Sequence, residues 1–350
     1  MCLKLVYVTL YPEKYPRIKK IESSIGERSG ISFHAMVPRF RIKLGTGKSE
    51  RIISAIVSYP LYILQILFTR ADVFWVTTSP DIFVLPIILK RQPYILEYRS
   101  PWEMEARIEF TKLGFLAAFF SRLALKHSRA VTLTTSMFIK DVQKFGKKLF
   151  VMPNYPQRQN FKSDVLADVF RAARGVKSDA KIVLFVGKLS TVEGFDILPN
   201  VVEKLLKLNE RIVFWIVGDG ELHSLAEDLQ RRFLGRVRFF GWQPYKEIPN
   251  FINSADVCIV PRYKTVFSKY SNEEGIQKIS EYMLFEKPIV ACGIAPSKEY
   301  LLVEPEGMVD GILLAAEGKV PKPTPRTWED DCEGKVSEVL DFMKKLRASR

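Results

Sequence analysis

An α/β chain holding two consecutive parallel sheets is what this sequence predicts, and three observations carry the prediction. Short apolar, β-rich runs alternate with helix-like segments along the whole chain. These runs are apolar on both sides rather than at every second residue, so each sheet is expected to be covered on both faces, as parallel sheets are. The alternation breaks once, at Pro153-Asn154-Tyr155-Pro156-Gln157-Arg158, where two prolines and an asparagine mark a domain boundary. A chain of 350 residues is comfortable for two domains. The expected division is 1–156, 157–325 and a terminal segment 326–350.

In the first half, strands are expected at 3–10, 31–37, 72–78, 93–99, 130–135 and 149–153. Helices are expected at 17–28, 49–69, 81–89, 104–126 and 137–144. Ligands of such sheets bind at the carboxyl ends of the strands. The segments to watch are therefore 11–16, 38–48, 77–81, 99–103 and Ser136. The second half repeats the pattern, with strands expected at 181–186, 212–217, 237–240, 257–261, 288–291 and 311–315. Its helices are expected near 195–207, 222–233, 247–254, 276–285 and 297–302. Residues 318–325 carry three prolines and read as an extended connector. The chain closes on an amphipathic helix, about 333–346, with Val336, Val339, Leu340 and Met343 on one face.

The net charge of +14 is unevenly placed. Residues 1–160 hold 25 Lys and Arg against 11 Asp and Glu, leaving 28 against 28 in the remainder. An anionic partner is therefore expected for the first half: nucleic acid, an acidic membrane surface or a phosphorylated substrate. No nucleic-acid module and no aromatic–basic interleaving is recognisable, so nucleic acid is set aside. Cys2, Cys258, Cys292 and Cys332 show no paired spacing, which argues against a disulfide framework or zinc site and for a reducing compartment. Met1-Cys2-Leu3-Lys4 runs straight into a strand, without the head and apolar core of a signal peptide. The apolar run 52–68 is short and carries Pro60 and Gln65. It reads as a core helix kinked at Pro60 rather than a membrane span, which needs ~20 apolar residues. His34 lies in a strand and reads as a core residue, while His127 and His223 read as surface helix residues.

The segment with most chemistry is Ser271-Asn272-Glu273-Glu274-Gly275-Ile276-Gln277-Lys278-Ile279-Ser280-Glu281-Tyr282-Met283. Alone, Glu273 and Glu281 would read as solvated surface residues. Ser271-Asn272 can start a helix, Gly275 lets a ligand approach the backbone, and Ile276, Ile279 and Met283 fall at helical spacing. The N–H groups of that first turn would favour an anion beside Glu273. Three strand ends precede it. Gly187-Lys188-Leu189 makes a basic turn before a helix opened by Gly194-Phe195-Asp196, a reasonable phosphate cradle. Gly218-Asp219-Gly220 is a second glycine turn, weak by itself. Phe239-Phe240-Gly241-Trp242 exposes backbone at Gly241, with Trp242 read as a packing residue before a stacking platform.

In this order, over about residues 149–317, these pieces resemble the family-4 retaining glycosyltransferases of GT-B fold. Gly187-Lys188-Leu189, Gly194-Phe195-Asp196, Gly218-Asp219-Gly220, Phe239-Phe240-Gly241 and Pro153-Asn154 look like motifs of that family. Glu273 through Glu281, followed by Tyr282-Met283 and Lys287-Pro288-Ile289, looks like its paired-glutamate motif and the strand after it. The resemblance implies two Rossmann-like domains facing a cleft, with the terminal helix returning to the first. It implies a retaining, metal-independent hexosyl transfer needing no cofactor. The donor would be a nucleotide-diphosphate sugar, held by Gly187, Lys188, Gly218, Gly241, Trp242, Glu273, Gly275, Ile276, Gln277 and Glu281. Glu273 would contact the sugar and Glu281 the ribose, with Glu273 and Lys188 the catalytic pair. Three departures stand out. The family places Arg and Lys on the diphosphate, whereas this chain has Lys188 at the first position, cationic but without the bidentate fork of Arg. At the second it has Glu193, which reverses the charge and leaves Lys278, Arg262, Lys264 or Lys269 to substitute. The family's N-terminal glycine-rich loop is replaced by Leu10-Tyr11-Pro12-Glu13.

The first half resembles the family less. Glu97-Tyr98-Arg99-Ser100-Pro101-Trp102 looks like a strand end of some bacterial polysaccharide-building members, making Arg99 an acceptor-side candidate or a structural ion-pair partner. The acceptor is expected to be a glycan or lipid-linked. The basic half would dock on an anionic membrane from the cytoplasm. An alternative is a catalytically silent relative serving as a peripheral membrane or assembly subunit.

Overall fold

The computed structural model describes residues 2–12, 15–26, 30–39, 48–78, 80–109 and 114–348. Glu13, most of the 38–48 segment, Ser79 within 77–81, residues 27–28 and residues 110–113 lie outside the described residues. The chain divides into two compact units, Met1–Pro153 with Asp331–Arg350, and Asn154–Asp330.

The first unit runs β1 (Leu3–Val8), α1 (Pro16–Gly26), β2 (Ile31–Met36), α2 (Lys48–Phe68), β3 (Val73–Thr77), α3 (Leu85–Leu89), β4 (Tyr94–Tyr98), α4 (Trp102–Glu109), α5 (Gly114–His127), β5 (Ala130–Leu133), α6 (Ile139–Val142) and β6 (Lys148–Val151). All pairings are parallel, in the order β2-β1-β3-β4-β5-β6. The order reverses between β1 and β3. Right-handed crossovers therefore put α1 on one face and the helices from α2 onward on the other. Strands β3, β4 and β5 are buried at every residue, which is why they read as continuous apolar runs. The exception is Glu97, buried in the middle of the sheet. It is satisfied by an ion pair with Arg17 of α1 and by the Tyr7 hydroxyl, which donates to Oε2 at 2.6 Å. Burial, with the Glu97 charge beside it, raises the Tyr7 phenol well above its ordinary value.

The second unit runs α7 (Ala167–Ala172), β7 (Lys181–Val186), α8 (Leu198–Leu208), β8 (Ile212–Val217), α9 (His223–Arg232), β9 (Val237–Phe239), α10 (Ile248–Ser254), β10 (Val257–Pro261), α11 (Gln277–Leu284), β11 (Ile289–Cys292), β12 (Leu301–Leu302), α12 (Met308–Ala316) and α13 (Trp328–Asp331). Its sheet is also all parallel, ordered β12-β11-β10-β7-β8-β9. Alternate residues of β7 feed two cores. Val183 and Phe185 join α8 and α12 on one side, and Ile182, Leu184 and Val186 join α10 and α11 on the other. The last helix, α14 (Glu333–Ala348), belongs to the first unit and packs on α1 and β6. Its Val336, Val339, Leu340 and Met343 are buried, and Phe342 meets Phe150 with ring centroids 6.2 Å apart.

Several local expectations are corrected. Residues 311–315 lie inside helix α12, not a strand; Met308, Val309, Ile312 and Ala315 are buried at helical spacing, which so short an apolar run does not reveal. No helix forms at 297–302, where β12 extends the sheet edge instead. The expected 104–126 helix is two helices, α4 and α5, and α7 and α13 were not anticipated. His34 is exposed, because β2 is an edge strand. The 52–68 run is not a core helix. In α2, Ser58, Tyr62 and Ile66 are buried while the opposite face stays exposed. No helix among the described residues is long and apolar enough to cross a membrane.

Glu286, between α11 and β11, is held at φ 52°. A side chain in the left-handed region costs ~1–2 kcal/mol, partly offset by the extra freedom glycine has when unfolded. Glu286→Gly is therefore expected to stabilise the protein by about 0.5–1 kcal/mol. Urea unfolding checks this, and a loss of stability would refute it.

Candidate functional site

In the second unit the strand order reverses between β7 and β10, and the crevice outside the carboxyl ends of these strands is the binding position of an open parallel sheet. Three glycine turns are stacked there. The Gly187 N–H bonds the Val217 carbonyl at 3.0 Å, and the Gly218 N–H bonds the Gly241 carbonyl at 2.8 Å. Gly187 and Gly218 adopt φ 151° and 137°, and a Cβ on Gly218 would lie 1.8 Å from the Gly187 carbonyl oxygen. No other residue fits this turn. A Cβ on Gly187 would meet the Lys278 ammonium at 2.8 Å, so that cation sits directly against the turn.

Lys278 belongs to the first turn of α11. Its ammonium lies 2.6 Å from Glu193 Oε2 and 4.7 Å from the Phe185 ring centroid. Arg262, just past β10, grips the other oxygen of Glu193. Glu193 is thus bracketed by two cations from two further elements, and only 17% of its side chain is exposed. Burial alone would raise its carboxyl, but the attraction of Lys278 and Arg262 outweighs this and holds it below its ordinary value. Burial lowers the Lys278 ammonium, with Glu193 opposing. Of the four cations open as substitutes, Lys278 and Arg262 are the two the fold brings to Glu193. Lys264 and Lys269 are exposed, and Lys269 lies over the neighbouring Tyr270 ring. Lys188 is exposed and makes no ion pair among the described residues.

The helix does not begin at Ser271-Asn272 as expected. Asn272 closes a turn instead: its side-chain oxygen accepts the Glu274 N–H at 3.2 Å and its carbonyl accepts the Gly275 and Ile276 N–H groups at 3.2 and 2.8 Å. Ile276 stays extended, and α11 starts at Gln277 without a side-chain cap. Two long-range bonds pin this loop, from Asn154 N–H to the Glu274 carbonyl and from Ala295 N–H to the Ser271 carbonyl. Within it Glu273 is partly buried, and its Oε2 is buried with no hydrogen-bond partner. Burial raises the Glu273 carboxyl above its ordinary value, while its own backbone N–H and the Ser297 hydroxyl pull the other way. Glu281, one helical face onward, is nearly buried; its Oε1 accepts from Tyr245 Oη at 3.0 Å and Gln277 Nε2 at 2.6 Å. Buried Tyr282 anchors α11 to the strand end, its hydroxyl accepting the Val186 N–H at 3.1 Å.

Residues 180–321 match the family model described as Glycosyl transferases group 1. The matched stretch lies within the second unit, and it is there that the chain resembles the group 1 glycosyltransferases. Over 142 residues, 40% of this chain, the sequence is 30% identical to the uncharacterized glycosyltransferase MJ1607 of Methanocaldococcus jannaschii. The matched stretch spans only 34% of that protein's length. Two solved structures share the fold across both units. A sucrose-phosphate synthase from Thermosynechococcus elongatus is 13% identical with TM-score 0.69, covering 99% of each chain. Anabaena HepE in complex with UDP-glucose is 14% identical with TM-score 0.61, again covering 99% of each chain. Two six-stranded parallel sheets with a terminal helix on the first are the GT-B fold.

Within the matched stretch, Gly187, Lys188, Gly218 and Gly241 lie at the ends of β7, β8 and β9, and Glu273, Gly275, Ile276, Gln277 and Glu281 on the loop and helix after β10. Ile276 is buried in the core beneath α11. Trp242 is not a packing residue. It is 69% exposed, because Phe240 fills the core against Trp215 and Phe251 with centroids 5.2 and 4.9 Å away. Tyr245 and Ser297 escaped sequence reasoning; each meets its glutamate across a long sequence separation, and no local pattern marks either. In the first unit Arg99 follows β4 and is packed on the Tyr11 and Tyr15 rings at 4.2 and 4.9 Å, bonding the Tyr15 hydroxyl at 2.9 Å. Its Nη1 is buried without a hydrogen-bond partner.

Glu193→Gln leaves two partly buried cations without their counter-charge and is expected to cost about 2–3 kcal/mol at neutral pH. The parent's depressed carboxyl contributes fully above about pH 4.5, the unfolded value, and its contribution is lost as the pH falls through the folded value. The gap between parent and variant should narrow on acidification. Thermal unfolding from pH 7 to pH 3 measures it, and a gap of constant width would contradict the assignment.

Proposed function

We propose that this protein transfers a sugar, with retention of anomeric configuration, from a nucleoside-diphosphate sugar on the second unit. The acceptor is a glycan or lipid-linked molecule, met at the cytoplasmic face of a membrane. The observation that carries the reading is the juxtaposition at the β7/β10 reversal: a cation against the Gly187 turn, and a loop carboxylate oxygen buried without a partner. A diphosphate suits the first and a sugar hydroxyl the second. The UDP-glucose complex of the similarly folded HepE supports a nucleotide sugar as the donor.

In this scheme Lys278, Arg262 and exposed Lys188 neutralise the diphosphate as it departs. The anomeric carbon–oxygen bond breaks, the acceptor oxygen bonds to the same face, and the leaving diphosphate takes the acceptor's proton. Protein cations meet the phosphate charge, so the reaction is proposed to be metal-independent. Glu273 accepts from sugar hydroxyls. Glu281, oriented by Tyr245 and Gln277, accepts from the ribose. Trp242 stands exposed past β9, where a base could stack. Glu193 answers both cations in the resting protein, which favours a second reading, a silent relative whose site is held closed by its own carboxylate.

Calorimetry with uridine diphosphate and a turnover assay over several nucleotide sugars separate these. On the transferase reading Lys278→Ala weakens diphosphate binding about 10- to 100-fold. Glu193→Gln, which removes a competing anion, binds as tightly as the parent or more so. Glu273→Gln leaves diphosphate affinity intact and lowers turnover about 10- to 100-fold. Because the Glu273 carboxyl is raised and must be ionised to accept, parent turnover falls as the pH drops through that raised value, and Glu273→Gln lacks this limb. No turnover with any donor would leave the silent reading standing.

A further inference from the structure

We propose that the outward face of α2, continued by α3 and α5, is the surface on which this chain lies on an anionic lipid bilayer. This rests on the membrane-face reading above and assigns it to particular residues.

Helix α2 is amphipathic in an unusual sense. Its inner face is apolar and seals the sheet: Tyr62 is buried, its hydroxyl donating to the Met36 carbonyl at 2.6 Å. Its outer face is apolar too. Ile53, Ile56, Val57, Leu61, Leu64 and Phe68 are exposed at spacings of three and four, Ile56 at 65% and Phe68 at 80%. Leu89 at the end of α3 and Phe115, Leu116 and Phe119 on α5 are exposed as well. These helices share one side of the sheet. The turn Asp81–Val84 lies between them, with Phe83 against Tyr59 and Tyr62 of α2 at 5.2 and 4.9 Å, and Asp81 bonded by Ser121 of α5. An exposed apolar area of this kind marks an interaction surface.

The charge around it selects the occupant. Residues 51–71, α3 and α5 contain no aspartate or glutamate. Among the described residues, Arg70 and Arg91 just past α2 and α3, and Arg122 and Lys126 on α5, are exposed cations. The whole first unit carries 29 Lys and Arg against 15 Asp and Glu, a net +14, while the second carries 24 of each. Glu50 and Asp72 flank residues 51–71, and α4, packed on α5, carries Glu103 and Glu105, so acids lie beside this surface but not on residues 51–71, α3 or α5. Apolar side chains joined to cations in this way fit the boundary between acyl chains and acidic headgroups. A second copy of this chain fits badly, because a two-fold contact would press the same basic rim against itself. With no helix among the described residues able to span, the chain rests on the bilayer rather than crossing it.

Flotation of the full chain with vesicles of phosphatidylcholine, alone or mixed with phosphatidylglycerol, tests this. The parent is expected to float with the mixed vesicles and much less with phosphatidylcholine alone. The triple variant Ile56→Ser, Leu64→Ser, Phe68→Ser should lose at least about tenfold in binding, since each change removes buried apolar area. Arg122→Gln with Lys126→Gln should lose about thirtyfold on mixed vesicles, at about fivefold per cation. Unchanged melting temperatures and diphosphate affinities show that fold and donor site are intact. Floating without turnover keeps the docking surface and removes the transferase reading, whereas turnover without floating removes the surface. The proposal is also overturned if the triple variant floats like the parent. It is overturned equally if the parent is a dimer that this variant splits into monomers.

Discussion

At the β7/β10 reversal the second unit concentrates three charged side chains from three different elements. Glu193 comes from the turn after β7, Arg262 from the end of β10 and Lys278 from α11. A single carboxylate left there would be costly, and two cations alone would repel each other. Together they fix the approach of β10 and α11 to the Gly187 turn. The buried hydroxyl of Tyr282 holds the same helix to the Val186 N–H, so the cation's distance from the turn is set twice. A cluster built this way is preorganised: its two cations are held in place and balanced by the Glu193 carboxylate.

The first unit solves a similar problem in its interior. Glu97 occupies a central strand where an apolar residue would cost less, and it is tolerated because Arg17 and Tyr7 answer both its oxygens. One residue past that strand, Arg99 packs against the mutually stacked Tyr11 and Tyr15 rings, and one of its nitrogens is buried without a hydrogen-bond partner. Charge inside this unit is paired and sequestered. Over its whole length the unit carries a net charge of +14, and apolar side chains are exposed on its helices.

The elements of the chain differ in what their sequences disclose. Strands such as β7 and β8 lie between two layers of helices, so nearly every residue is apolar and the run is visible by eye. Segment 311–315 has the same look and is helical, because five apolar residues satisfy either periodicity and only the partner at β11 decides. Segment 52–68 is ambiguous for the opposite reason. Its apolarity is real, but one half of it faces outward, and composition cannot say which half of a helix meets the sheet.

Glycines at the ends of β7, β8 and β9, the ordered glutamates and the proline boundary are local features, each dictated by backbone geometry or residue chemistry, and the sequence alone sufficed to place them. The fold and the glycosyltransferase likeness follow from their order. Which cation stands at the Gly187 turn was not determined that way. Lys188 is adjacent in sequence yet points into solvent, whereas Lys278 arrives from ninety residues downstream and lies against the turn. Glu193, read locally, is an acid where the resembled family has a base; in three dimensions it is the counter-ion of two cations, Lys278 and Arg262. Such pairings span long loops, and their energies come from burial and distance, which exist only once the chain has folded.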